Sequence, residues 1–158
     1  MLQRVFTILD QEITELNVRS RAEGMAEIPR FYIKVVGQTA LLEAQMGLPL
    51  FATVDVDAYA NFVWLAREFF CRVLEREGRH FDELSDQIWM PPETQYRQMI
   101  RGVSFDGYLA EPEYVLISKA LKAPKKNGPL IRDYLALKPS PLFFALVETY
   151  KLNLEQFL

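Results

Sequence analysis

Asp55 and Asp57 stand two residues apart in the run Thr53-Val54-Asp55-Val56-Asp57. In an extended chain that spacing sends both carboxylates to one face and Val54 and Val56 to the other, toward a core. Two carboxylates so close repel one another unless a cation neutralises them. A hard divalent ion with oxygen ligands, Mg²⁺ or Mn²⁺, meets that need. Upstream, Gly37 follows a strand-like stretch and precedes a run of helix formers. A glycine there lets backbone N–H groups approach a phosphate closely, and the helix dipole favours the negative charge. Thr39 adds a hydroxyl in the same turn. The plain alternatives are a tight strand-to-helix turn and a solvated strand end. Taken together, a phosphate-binding turn and a paired-carboxylate strand are the two halves of a metal-dependent phosphoryl or nucleotidyl transfer site.

The elements that must position these residues are read from periodicity. Leu2, Val5, Phe6, Leu9, Ile13 and Leu16 form one helical stripe. Phe31–Val36 alternates as a strand, residues 38–47 read as a helix stopped by Gly47, and residues 51–60 return to strand character. Asn61 is placed to cap a helix over 62–78 that turns Phe62, Leu65, Ala66, Phe69 and Val73 inward and pairs Glu68 with Arg72. Residues 86–92 and 96–109 read as further strands, with Asp106-Gly107 as a turn. Pro112 opens another helix, and residues 129–137 and 141–158 read as two more. This order predicts an α/β (α+β) chain: a small mixed sheet with flanking helices in residues 1–110 and a helical part over 111–158, together one domain.

Composition narrows the classes. The chain has 158 residues, a quarter of them charged, and a net charge of −3. That balance argues against a surface built wholly for nucleic acid and leaves room for a local basic patch. Cys71 is the single cysteine and reads as a core residue, so no disulfide or thiolate cluster forms and a reduced, cytoplasmic setting is expected. His80 is the single histidine, which removes most histidine-dependent metal sites. No run is long and apolar enough to span a membrane, and the N-terminus lacks a signal-peptide core. Trp64 and Trp89 read as packing residues.

The pattern Gly37-Gln38-Thr39-Ala40, helix, Thr53-Val54-Asp55-Val56-Asp57 resembles the nucleotidyltransferase superfamily of the DNA polymerase β type. It is closest to the bacterial abortive-infection and toxin–antitoxin-like branch. Pro112-Glu113, Lys119 and Asp133 extend the likeness, which covers roughly residues 30 to 137. The resemblance implies that Asp55 and Asp57 hold Mg²⁺ or Mn²⁺, and that Gly37, Gln38 and Thr39 cradle the phosphates of an NTP. Lys119 would meet the triphosphate. The acceptor would be an RNA, a protein or a small molecule.

Three residues depart from that pattern. Gln38 replaces a second small turn residue, and Phe51 stands where an arginine is usual. The third carboxylate is expected from a later strand, and the nearest counterpart, residues 87–92, has Trp89 there. Glu93 and Asp106 are the substitutes to consider. The departures keep a second function open, a catalytically degenerate module of the same fold that binds a protein partner. Lys122 shares a helix face with Lys119, whereas Lys125 and Lys126 read as solvated, and Asp133 reads equally as a structural cap.

Overall fold

The computed structural model describes residues 1–158 as an α+β fold with six α-helices and a five-stranded mixed sheet. The strands are β1 Phe31–Val36, β2 Asp55–Ala60, β3 His80–Phe81, β4 Tyr96–Arg101 and β5 Phe105–Ala110, in the spatial order β3-β2-β1-β5-β4. β1 runs parallel to β5 and antiparallel to β2, β3 is parallel to β2, and β4 is antiparallel to β5. The helices are α1 Leu2–Ala22, α2 Gly37–Glu43, α3 Trp64–Arg76, α4 Pro112–Lys122, α5 Pro124–Leu135 and α6 Pro141–Thr149. Every strand precedes Pro112, and only helical elements follow.

One sheet face is apolar by alternation. Phe31, Ile33 and Val35 of β1 lie beside Phe105, Gly107 and Leu109 of β5, and α1 buries Leu2, Val5, Phe6, Leu9 and Ile13. Phe31 stacks on Phe105 at 5.1 Å, and Phe6 meets Phe105 edge-on at 5.5 Å. The Phe6 ring occupies the space above Gly107, where an added Cβ would come within 2.5 Å of it. Gly107→Ala is therefore expected to destabilise the fold by about 1–3 kcal/mol, through overpacking of a site that cannot give. A lowered urea midpoint with unchanged slope would register it.

The opposite face carries Tyr32, Lys34 and Val36 of β1. Their register neighbours are Tyr59 and Asp57 of β2, and Asp106 and Tyr108 of β5. Helix α4 begins with Pro112 at its first position and Glu113 in its first turn, both favourable there. It packs against α2, α5 and α6. Ser140 caps α6, its Oγ accepting the Phe143 N–H at 3.2 Å and donating to Glu113 at 3.1 Å.

Several expected local features are corrected by tertiary contacts. Residues 86–92 are not a strand: a 3-10 turn spans Ser85–Gln87, and Pro91 and Pro92 have no N–H to give a ladder. The turn between the last two strands lies at residues 102–104, not at Asp106-Gly107. There Asp10 of α1 accepts the Val103 and Ser104 N–H groups at 3.0 and 2.7 Å. Asn61 does not cap α3; its Oδ1 accepts the Tyr32 N–H at 2.7 Å. Arg72 lies over the Phe69 ring instead of pairing with Glu68, and Phe70 and Leu74 join Ala66 and Val73 inside while Leu65 is exposed.

Trp64, expected to pack, is 68% exposed at the start of α3, and Val54 is exposed just before β2. Cys71 is half-buried. Helix α2 ends at Glu43, short of Gly47, as Gln45 takes a positive φ of 51°. Helix α5 begins at Pro124, with Pro129 in its interior. Helix α6 stops at Thr149 because Lys151 turns left-handed at φ 52°, which returns Leu152 to the Val147 carbonyl at 3.0 Å.

Candidate functional site

The site begins where β1 ends. Val36 is paired with Asp57 across the β1–β2 ladder, so the residue after Val36 must pass close to the Asp57 side chain. That residue is Gly37, at φ +66°. A Cβ there would lie 2.4 Å from Asp57 Oδ2 and 3.3 Å from its Cβ and Cγ. Glycine is thus required twice, for the left-handed turn into α2 and for clearance of the carboxylate. Asp55 lies on the same side of β2, at its exposed start, while Val56 is buried.

A second carboxylate reaches Asp57 from a strand too short to read from periodicity. Asp55 and Val56 pair with His80 and Phe81, so the parallel register sets Asp82 beside Asp57, and the Asp82 N–H donates to the Val56 carbonyl at 3.0 Å. Asp82 Oδ1 accepts the Leu84 N–H at 2.9 Å, which fixes the side chain. Burial first, then the hydrogen bond and charge of Asp82, push the Asp57 carboxyl from 3.8 up to about 6, with Asp55 adding to the rise and Lys119 opposing it.

Sequence spacing does not single out Asp82 for this role. The residues it does single out lie elsewhere. Trp89 forms part of a cavity wall, Glu93 accepts the Tyr150 hydroxyl at 2.5 and 2.7 Å, and Asp106 is paired with Arg30 at 2.6 Å. The sequence signal for Asp82 is weak: it is one of three acids in residues 82–86, after a strand of only two residues.

Lys119 faces the acids from α4. It is half-buried, and burial is the main force lowering its pKa; the charge of Lys126 adds to the drop and Asp57 opposes it. Gly37, Asp57, Lys119, Lys122, Trp89 and Asn127 line a cavity of about 450 Å³, within the usual range for small-molecule sites. Lys122 Nζ sits 4.8 Å from the Trp89 ring centroid, and the Trp89 carbonyl accepts the Ser118 hydroxyl. Asn127 ties α5 to α4 by donating to the Lys119 and Ala123 carbonyls, each at 3.1 Å.

The structure therefore brings Gly37, Asp57, Lys119 and Lys122 together, with Asp55 and Asp82 flanking Asp57 outside the cavity lining. It does not bring Gln38 or Thr39. Gln38 Nε2 donates to the Phe51 carbonyl at 3.1 Å, holding the loop before β2, and Thr39 is buried in α2. Asp133 is exposed on α5 and lines no part of the cavity.

No three histidine, cysteine, aspartate or glutamate side chains form a ready-made metal cluster. The donor chemistry nevertheless fits a hard cation. Asp57 and Asp82 offer only carboxylate oxygens, and none of Asp55, Asp57 and Asp82 is used in an ion pair.

The raised Asp57 pKa has a consequence for stability. Because the folded state holds this proton more tightly than the unfolded chain, stability falls as pH rises from about 4 to about 6, and the full penalty persists above that window. Asp57→Asn is expected to stabilise the protein at pH 7 by about 1 kcal/mol, after allowance for solvent screening of a half-exposed group. The gain should vanish below about pH 4. Urea unfolding of both proteins at the two pH values measures it.

No protein-family model matches the chain, and no curated protein or solved structure matches it either. No helix is long and apolar enough to cross a membrane.

Proposed function

We propose that the protein is a metal-dependent nucleotidyltransferase with a polymerase β-like core, moving a nucleoside monophosphate from an NTP to an RNA, protein or small-molecule acceptor. The observation that carries this reading is Asp57, flanked by Asp82 and beside the Gly37 turn, standing opposite Lys119 across one cavity. A divalent cation bound by the acids would neutralise triphosphate charge and favour in-line displacement at the α-phosphorus.

The chain's own groups do the rest. Asp57 and Asp82 would hold the cation through their carboxylate oxygens. Lys119, and Lys122 one helical turn on, offer positive charge to the β- and γ-phosphates from the opposite wall. The missing side chain at Gly37 lets the Asp57 carboxylate sit against the turn. The acceptor hydroxyl oxygen forms a bond to the α-phosphorus as the α–β bridging bond breaks. Pyrophosphate leaves, and the hydroxyl proton passes to the carboxylates and then to solvent.

The reading is tested with an NTP labelled at the α-phosphate, Mg²⁺, and a mixed pool of RNA, protein and small-molecule acceptors. Label should enter one acceptor class in a Mg²⁺-dependent way, and label from a γ-labelled NTP should not. Label from neither would count against it.

A second reading, an interaction module of the same fold without transfer activity, is favoured by the exposure of Phe51, at 87%, and of Val54 directly before the acidic strand. Copurification of a stoichiometric partner that Phe51→Ser releases, with no α-label transferred, would select it.

A further inference from the structure

The sheet face beyond Asp57 holds a second hollow, of about 550 Å³, lined by Arg30, Tyr32, Lys34, Asn61, Tyr96 and Tyr108 among others. Its centre is Lys34, which has no acidic partner. The Lys34 Nζ sits instead 4.8 Å from the Tyr32 ring centroid and 4.9 Å from that of Tyr96. Register places Tyr108 beside Lys34 on β5 and Tyr59 beside it on β2.

Arg101 opposes Asp106 on β4 and so shares this face. Arg30, Lys34 and Arg101 thus face one carboxylate, Asp106, which Arg30 already engages. Locally the sign is positive in an acidic protein. Tyr59 stands two residues beyond Asp57 on the same side of β2, so the hollow and the acidic site lie on one sheet face.

We propose that this tyrosine-framed basic face binds single-stranded nucleic acid. Ring faces on a sheet accept unstacked bases whatever their identity, and neighbouring cations hold the phosphates. A duplex keeps its bases stacked inside and cannot use the rings. A two-fold dimer through this face would set positive charge against positive charge, so the excess favours a phosphate chain over a second copy of this protein. As the seat of an acceptor strand running toward Asp57 and Asp82, the face rests on the transferase reading; the binding itself does not.

The test is fluorescence anisotropy on the full chain without added metal. The probes are a labelled oligouridylate RNA, the matching DNA strand and a duplex. Wild type should bind the single strands, and the duplex at least ~10-fold more weakly. Tyr108→Ala should weaken single-strand binding by about 10-fold. Lys34→Gln, which leaves the core untouched, should lower the slope of log affinity against log salt by about 0.7. Stronger binding of RNA than of DNA would add the 2′-hydroxyl to what is read, and equal binding would not; both uphold the proposal.

Equal affinity for the duplex, or wild-type affinity in both Lys34→Gln and a folded Tyr108→Ala, would overturn it. So would failure of every strand to bind, and a dimer in sedimentation that Lys34→Gln dissociates would then assign the face to a second copy. Transfer lost with strand binding intact would reject the transferase reading alone. Binding absent with transfer intact would reject this face alone.

Discussion

Asp82→Asn should lower nucleotidyl transfer on the order of 10³-fold, comparable to the loss of a group that stabilises transition-state charge directly. Asparagine keeps the side-chain oxygen that accepts the Leu84 N–H, so the local turn survives. What disappears is one of two anions placed side by side by the β2–β3 register. The amide cannot bind a hard cation with comparable strength, and the reacting phosphate loses its counter-charge. The variant should melt no lower than wild type, since removing the repulsion with Asp57 relieves a strained pair. Glu93→Gln is the informative control. Glu93 is engaged by Tyr150, so transfer should stay within about three-fold, the scale of a substitution that touches no reacting group. Steady-state rates from α-labelled NTP distinguish the two. A loss in Glu93→Gln with none in Asp82→Asn would move the chemistry away from β3.

Gly37→Ala should act on both stability and rate. The backbone at φ +66° costs an alanine about 1 kcal/mol. The added methyl also falls 2.4 Å from Asp57 Oδ2. Asp57 has a short side chain, and its Cβ and Cγ stand only 3.3 Å from the same point, so the carboxylate must rotate away and cannot simply lean. We expect a total destabilisation of about 1–3 kcal/mol, read from chemical denaturation. Transfer should drop roughly 100-fold, the scale of a misplaced catalytic group. Combined with Asp57→Asn, the rate effect should not add, because both act on the same carboxylate. Additive losses would mean that Gly37 serves something other than Asp57.

How much of this was legible follows the range of the contacts. Strand β1, Phe31–Val36, was readable to the residue, because its aromatic and β-branched alternation is local. So was the common side of Asp55 and Asp57, and the glycine between strand and helix. Asp82 was not. Its strand is two residues long, and its place beside Asp57 exists only through pairing with β2. Asp106-Gly107 carries the local signature of a turn, yet Gly107 sits mid-strand, where the Phe6 ring from a distant helix requires it. The resemblance implies Gln38 and Thr39 beside the phosphates of an NTP, and Thr39 alone is also suggested by its hydroxyl in the first turn. In a helix as short as α2, one residue of rotation decides the facing, and packing turned Thr39 inward.

The pairing of Asp57 with Asp82 opposite Lys119 is tested most directly by a crystal soaked with Mn²⁺ and a non-hydrolysable NTP. The expected result is an anomalous peak within about 2.3 Å of oxygens from both Asp57 and Asp82, with the triphosphate extending to Lys119. An ordered NTP bound elsewhere, or Mn²⁺ settling away from both carboxylates, would contradict it.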